Sequence, residues 1–242
     1  MGLLDMFGGG SPPQKALKLK AKVTQKYGDA TVRQKAISQL AELKVPEAIA
    51  VLLSRFTIAV EPQSTDAYEK DQVFEALKEM GRDVVDPAVA FLKRTDTASS
   101  WVLRILDSVL PAEEMMTLVV GYLEKLSTEY TRDPEKKIVL LHWVAGKSDP
   151  RIGPAVIPFL EDQFDDVKVA SAKVLGPLKF EPAREPLLTL LTGEETARRV
   201  QTAVIAALQE SEFGVQGFRE KVEKLLAEPY FVDRAGVVKK RT

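Results

Sequence analysis

Few residues in this chain have the types and spacing to do chemistry. It has no cysteine, which removes thiolate nucleophiles, thiolate metal sites and disulfides together. Its one histidine is His142, followed by Trp143. A metal site on a helix needs further donors about one turn away, and those positions hold Ile138, Val139, Ala145 and Gly146. No Gly-x-Ser-x-Gly turn accompanies the histidine, so a Ser-His-Asp triad has no support. The expectation is a chain that is not an enzyme, with no catalytic, cofactor-binding or metal-binding residues, and with His142 a packed or surface helix position.

Carboxylates gather at Glu161, Asp162, Asp165 and Asp166. Such a group can hold calcium, but the EF-hand glycine and the spacing to a bidentate glutamate are missing. Helix capping and solvation account for these acids better. The run Gly8-Gly9-Gly10 has no Lys-Ser/Thr at phosphate-loop spacing and no strand before it. It reads as a flexible joint after Leu3, Leu4, Met6 and Phe7. Those side chains can serve as a short anchor for a partner groove or a membrane surface; the plainer reading is a frayed end.

Charge narrows the field further. Thirty-four Lys and Arg face thirty-five Asp and Glu over 242 residues, a balance that argues against a general nucleic-acid binder. The distribution is uneven. Residues 15–44 carry eight basic and two acidic side chains, whereas residues 107–166 carry six basic and twelve acidic. The tail adds Arg234, Lys239, Lys240 and Arg241. No apolar run approaches the ~18 residues needed to cross a bilayer. The opening residues have Asp5 and no basic stretch of a secretory signal, and Met6 stands where a myristoylation motif needs Ser or Thr. A cytoplasmic location without stable membrane insertion is expected.

The elements that position these residues repeat. Val32, Leu40, Leu43, Ala48 and Leu52 return, 135 residues later, as Val167, Leu175, Leu178, Ala183 and Leu187. Weaker copies begin near residues 69, 98, 136 and 200. Each copy has apolar residues three and four apart in two successive stretches, the pattern of a pair of amphipathic helices. Asp29, Asp66, Asp96, Asp133 and Asp165 or Asp166 stand where a carboxylate can cap a first helix. Pro46, Pro87, Pro111 and Pro154 stand near the start of second helices, where a missing N–H costs least. An extra helix runs from Ser11-Pro12-Pro13 to about Tyr27. The organisation expected is a flexible segment over 1–10, helical pairs over 11–228, and a tail over 229–242 able to form a short hairpin around Asp233-Arg234-Ala235-Gly236.

The wording Val-Arg-x-x-Ala-x-x-x-Leu-(small)-x-Leu, followed by Ala-x-x-x-Leu on a second helix, resembles the HEAT repeat, in the HEAT-like variant also found in phycobilin lyases. The resemblance covers residues 28–227. It implies an all-α fold, a right-handed α-solenoid of about six helical pairs with the second helices lining a concave face. It also implies functions to weigh. HEAT-like DNA glycosylases use a basic concave face with tryptophans and a carboxylate. Here Trp101, Trp143 and Asp107 accompany an acidic middle that repels a duplex. A phycobilin-lyase-type accessory factor is the other alternative, with nothing beyond structural positions in common. The function expected is a non-catalytic protein-interaction scaffold or adaptor whose partners are one or more proteins, not nucleic acid. The polar residues of the second helices that line its face would be Arg55, Arg82, Lys93, Glu114, Arg151, Arg184 and Arg219.

Overall fold

The computed structural model describes residues 10–241. The expected flexible segment, apart from Gly10, lies outside them. Among the described residues there are thirteen α-helices, four short 3₁₀ turns and one two-stranded hairpin, so the chain is all-α in class. A leading helix, α1 (Pro12–Val23), precedes six pairs: α2 (Ala30–Leu43) with α3 (Pro46–Ser54), α4 (Gln63–Glu79) with α5 (Val85–Arg94), α6 (Ser99–Val109) with α7 (Ala112–Ser127), α8 (Glu135–Val144) with α9 (Ile152–Val156), α10 (Asp165–Leu178) with α11 (Arg184–Thr192), and α12 (Arg198–Ser211) with α13 (Arg219–Leu225). The chain divides into two compact units at Met115/Met116, inside α7.

In the N-terminal unit α2 packs beside α4, and α4 beside α6, while α3 packs beside α5; α1 lies against both α2 and α3. The apolar spacing dictates which faces meet. Ala36, Ile37 and Leu40 of α2, Val73 and Leu77 of α4, and Val102, Ile105 and Leu106 of α6 are all buried. Local chemistry sets the boundaries. The Asp29 carboxylate accepts the Thr31 N–H at 2.8 Å, and that bond holds its pKa below the ordinary value. Lys44 ends α2 in a left-handed conformation, φ 46°, and Pro46 opens α3.

Three charged residues lie within this core, with a fourth, Asp66, at its edge. Arg33 is 1% exposed, and Arg55 and Glu69 are 0% exposed. Arg33 Nε donates to both Glu69 oxygens at 3.1 and 2.9 Å. Arg55 donates to Glu69 Oε2 from Nε at 3.0 Å and Nη2 at 2.9 Å, and from Nη2 to Asp66 Oδ1 at 2.8 Å. Carbonyls take remaining donors: Gly28 from Arg33, and Ile58 from Arg55. Asp66 also receives Lys70 Nζ at 2.7 Å and the Val60 N–H at 3.1 Å. Burial pushes the Asp66 pKa up, but the bonds from Lys70, Arg55 and Val60 outweigh it and hold the carboxyl below its usual range. Asp66 thus sits in the first turn of α4 as part of this network rather than capping the helix ahead of it.

In the C-terminal unit α10 lies along α12 and beside α8, and α11 packs on α12 and α13. Small residues set the closest approach: a Cβ at Gly176 would lie 2.8 Å from Ala207 Cα. Lys179 ends α10 in the same left-handed conformation as Lys44, φ 51°, 135 residues on. Lys137 Nζ bonds Asp162 Oδ2 at 2.6 Å, both side chains being nearly buried. Strand β1 (Tyr230–Val232) pairs antiparallel with β2 (Val238–Lys240). Gly236 takes the positive φ of the turn, 81°, and its carbonyl accepts the Val215 N–H at 2.8 Å.

Candidate binding groove

An open groove lies in the N-terminal unit between two second helices. It encloses about 730 Å³ and is lined by residues of α3 and α5 with the turns before them. Pro46, Ile49 and Ala50 form one wall, and Pro87 and Ala90 the other. Prolines fit the first turns of α3 and α5 because neither position requires an N–H. Charge surrounds this apolar floor. Glu47, Asp83 and Asp86 supply carboxylates, and Lys44, Arg82 and Arg94 supply cations. A recess beside it adds Glu79 and Met80.

These charges are not equally available. Arg82 is held by a two-pronged pair with Glu114, Nη1 to Oε1 at 3.1 Å and Nη2 to Oε2 at 2.7 Å. The hydrogen bond from Arg82 lowers the Glu114 pKa, and Glu114 raises that of Arg82. Arg94 Nε donates to the Ala90 carbonyl at 3.2 Å. Glu47 and Asp86 sit in first turns, where the helix dipole favours a negative charge. Among the described residues no cation pairs with Glu47, Asp83 or Asp86. With Arg82 committed to Glu114, the groove presents three carboxylates, Glu47, Asp83 and Asp86, against two cations, Lys44 and Arg94, an acidic excess of one.

The structure places the seven sequence-derived candidates in different settings. Arg82 and Glu114 come together on the rim of the groove. Lys93 is exposed on α5. Arg151 is clamped by Asp149, from Nε at 2.9 Å and Nη2 at 2.7 Å, and reaches Thr117 Oγ1 at 3.0 Å; this bonding holds the Asp149 pKa down to about 2. Arg184 donates to the carbonyls of Gly214 at 2.6 Å and Gln216 at 2.7 Å, tying down the segment after α12. Arg219 pairs with Glu223 at 2.8 Å and reaches the Asp233 carbonyl. Arg55 is off the surface altogether, because its guanidinium is consumed by Glu69, Asp66 and Ile58 in the core. The groove acids Glu47, Asp83 and Asp86 were absent from that set, and so were the floor residues. Their signal was present in the sequence as the two first-turn prolines, Pro46 and Pro87, each next to one acid, Glu47 and Asp86.

The other suspected chemistry resolves into structure. Asp162 bonds Lys137 and accepts the Phe164 N–H at 2.9 Å, while Asp165 and Asp166 pair with Arg199. Among the described residues no group of three or more His, Cys, Asp or Glu side chains could hold a metal ion. His142 is exposed on α8. Trp101 stacks on Phe56 with ring centres 4.9 Å apart, and Lys147 lies over Trp143 at 4.2 Å. No helix among the described residues is long and apolar enough to cross a membrane.

No family model matches the chain, and no curated protein sequence matches it. Solved structures that resemble it include human deoxyhypusine hydroxylase, at 14% identity and TM-score 0.37, covering 88% of this chain and 94% of that one. Another is an engineered protein, at 20% identity and TM-score 0.40, covering 81% and 96%. The first has a HEAT-repeat-like helical fold. At these TM-scores neither likeness transfers an activity, a site residue or a partner. One expectation is nevertheless corrected. The step from HEAT-like pairs to a non-catalytic scaffold or adaptor does not stand, because a HEAT-like fold also belongs to the hydroxylase, an enzyme. Such a fold is compatible with catalysis and with its absence, and the lyase-type and glycosylase alternatives gain nothing from it.

Proposed function

We propose that this chain recognises an extended segment of another protein bearing Lys or Arg side chains, bound in the groove between α3 and α5. One observation carries the reading: an open groove with apolar walls whose carboxylates Glu47, Asp83 and Asp86 have no cationic partner among the described residues and outnumber its two unpaired cations, Lys44 and Arg94, while its Arg82 is paired with Glu114. Apolar side chains of the segment would cover Pro46, Ala50, Pro87 and Ala90, and its cations would meet the acids. The reading concerns recognition and assigns no reaction to the groove.

The test is a fluorescence-anisotropy titration with a labelled peptide alternating Lys and Leu, beside the same peptide with Glu in place of Lys. Only the lysine peptide is expected to bind. Asp83→Asn with Asp86→Asn, both at exposed positions, should weaken it about tenfold, and added salt should weaken it further. Equal binding of the acidic peptide, or an unchanged affinity in the double variant, would overturn the reading.

We also propose that the six pairs form a right-handed α-solenoid of the HEAT-like kind. Its support is the stacking of first helix on first helix inside each unit, α2–α4–α6 in one and α8–α10–α12 in the other. The solenoid reading requires damage to stay near its origin when a core leucine is truncated.

A further inference from the structure

The C-terminal unit holds a recess of its own, opposite in charge to the groove. It encloses about 500 Å³ between α12 and the chain that runs from the end of α13 into β1. Arg198, Gln201, Thr202 and Ile205 line it from one side. They recur at i, i+3, i+4 and i+7, so they share one face of α12. Lys224, Leu225 and Tyr230 line it from the other. Two cations, Arg198 and Lys224, meet one carboxylate, Glu228, and that carboxylate has Arg241 as its own counter-charge at 3.1 Å. Among the described residues neither Arg198 nor Lys224 joins an ion pair. The Thr202 hydroxyl already donates to the Arg198 carbonyl at 2.9 Å. The Gln201 amide and the Tyr230 hydroxyl remain as neutral donors, since among the described residues no protein group engages them.

We infer that this recess binds a small organic phosphate, a phosphomonoester with an apolar body. A phosphate dianion has the charge to answer two cations and enough oxygens to accept from the neutral donors as well. The planar guanidinium of Arg198 suits two of those oxygens at once, and Lys224 meets the remaining charge as a point. A single carboxylate would leave one cation unmatched. Ile205 and Leu225 offer the body of the ligand an apolar surface, and the volume falls in the range of small-molecule pockets, about 300–1,000 Å³. A nucleic-acid strand needs cations spaced along its backbone, whereas these two share one recess. The inference concerns binding and assigns no reaction.

Amide NMR of the full chain, titrated with phenyl phosphate, tests this. Signals of residues 196–205 and 224–230 are expected to move and to saturate. Phenol, which lacks the phosphate, should bind about tenfold more weakly or not at all. Inorganic phosphate, which lacks the ring, should also bind about tenfold more weakly. Arg198→Gln with Lys224→Gln, both at exposed positions, should weaken phenyl phosphate by about tenfold or more. Signals far from the recess check that this variant keeps the fold. Absence of saturating shifts at these amides overturns the inference, as does an unchanged affinity in the double variant. So does equal binding of phenol or of inorganic phosphate. Tighter binding by a peptide of Glu and Leu than by phenyl phosphate would overturn it too, and make the recess a docking point for an acidic segment. Asp83→Asn with Asp86→Asn should leave the phenyl phosphate shifts in place, so a failure of the peptide reading and a failure of this one are told apart.

Discussion

One joint in each unit shows how differently a helical pair can be held to the next. In the N-terminal unit the joint between the first pair and the second is ionic: Arg33 of α2 and Arg55 after α3 converge on Glu69 of α4, all three shut away from water. In the C-terminal unit the close approach of α10 and α12 is made by near absence of side chain, with Gly176 against Ala207, and the ion pairs of Arg199 with Asp165 and Asp166 lie at the exposed edge. The repeat register is shared, since Leu40 and Leu175 are both fully buried. What differs is the distance at which the next helix is held. Large charged side chains hold α4 off α2 and must then satisfy one another, because a buried charge is tolerated only when paired and hydrogen-bonded. Small residues let α12 approach α10 closely and gain dispersion contacts instead. A repeat template therefore specifies which face is buried, and leaves open what fills the joint.

The largest effect should come from breaking the ionic joint. Glu69→Ala leaves two guanidinium groups buried without their counter-charge, a change that costs about 3–5 kcal/mol in comparable buried pairs. Urea unfolding measures the loss, and hydrogen exchange locates it, with protection expected to fall in α2, α3 and α4 while α10 and α12 keep theirs. Replacing all three together by apolar residues of similar size, Arg33→Met, Arg55→Met and Glu69→Leu, should restore most of the stability. A cost below about 1 kcal/mol for Glu69→Ala would mean that the N-terminal joint is held by its apolar contacts alone.

This joint also marks where sequence reading stopped short. The pair register was legible, because Leu40, Leu52, Leu175 and Leu187 keep helical spacing and all four are buried. So were the Asp29 cap and the bond from the Glu135 N–H to Asp133. The ionic joint was not, because charged residues are taken for solvated ones and its partners lie 14 and 36 positions apart. Yet a local trace of it exists. Arg33 continues the buried row of Ala36, Ile37 and Leu40, and Glu69 continues that of Val73 and Leu77 at four-residue steps. A charge standing in an apolar row is the readable sign of a buried pair. Val32 shows the converse. It matches Val167 in the template, but it is 42% exposed where Val167 is fully buried. On its N-terminal side α10 packs beside α8, a first helix of a pair, whereas α2 has only α1 there, which shares itself between α2 and α3.

Next in size are the shared leucines. Truncating either Leu40 or Leu175 to alanine should cost about 2–5 kcal/mol, from lost transfer energy and the cavity left behind. If pairs touch only their neighbours, the damage stays near its origin. Leu40→Ala should release protection first in α1, α2 and α3, and Leu175→Ala in α8, α10 and α12. Uniform loss along the chain in both variants would remove the solenoid reading and favour one cooperative core.

The smallest effect is a difference of sign between two glycines. Alanine in place of a mid-helix glycine ordinarily stabilises by about 1 kcal/mol, because glycine loses more backbone freedom on folding. Gly121 of α7 should follow that rule, since among the described residues nothing outside its own helix turn lies within 4 Å of where its Cβ would be. Gly176 of α10 should not. Its added Cβ would meet Ala207 Cα at 2.8 Å, Glu210 Oε2 at 3.0 Å and Ala207 Cβ at 3.2 Å. The glutamate can swing away, but the Ala207 contact is with backbone and yields only if α12 moves off α10. Overpacking of that kind costs about 1–3 kcal/mol, enough to cancel the helical gain and reverse it. Thermal unfolding should therefore show Gly121→Ala raised and Gly176→Ala lowered. Stabilisation by both substitutions would show that α12 is free to give way, and that the C-terminal joint is looser than its small residues imply.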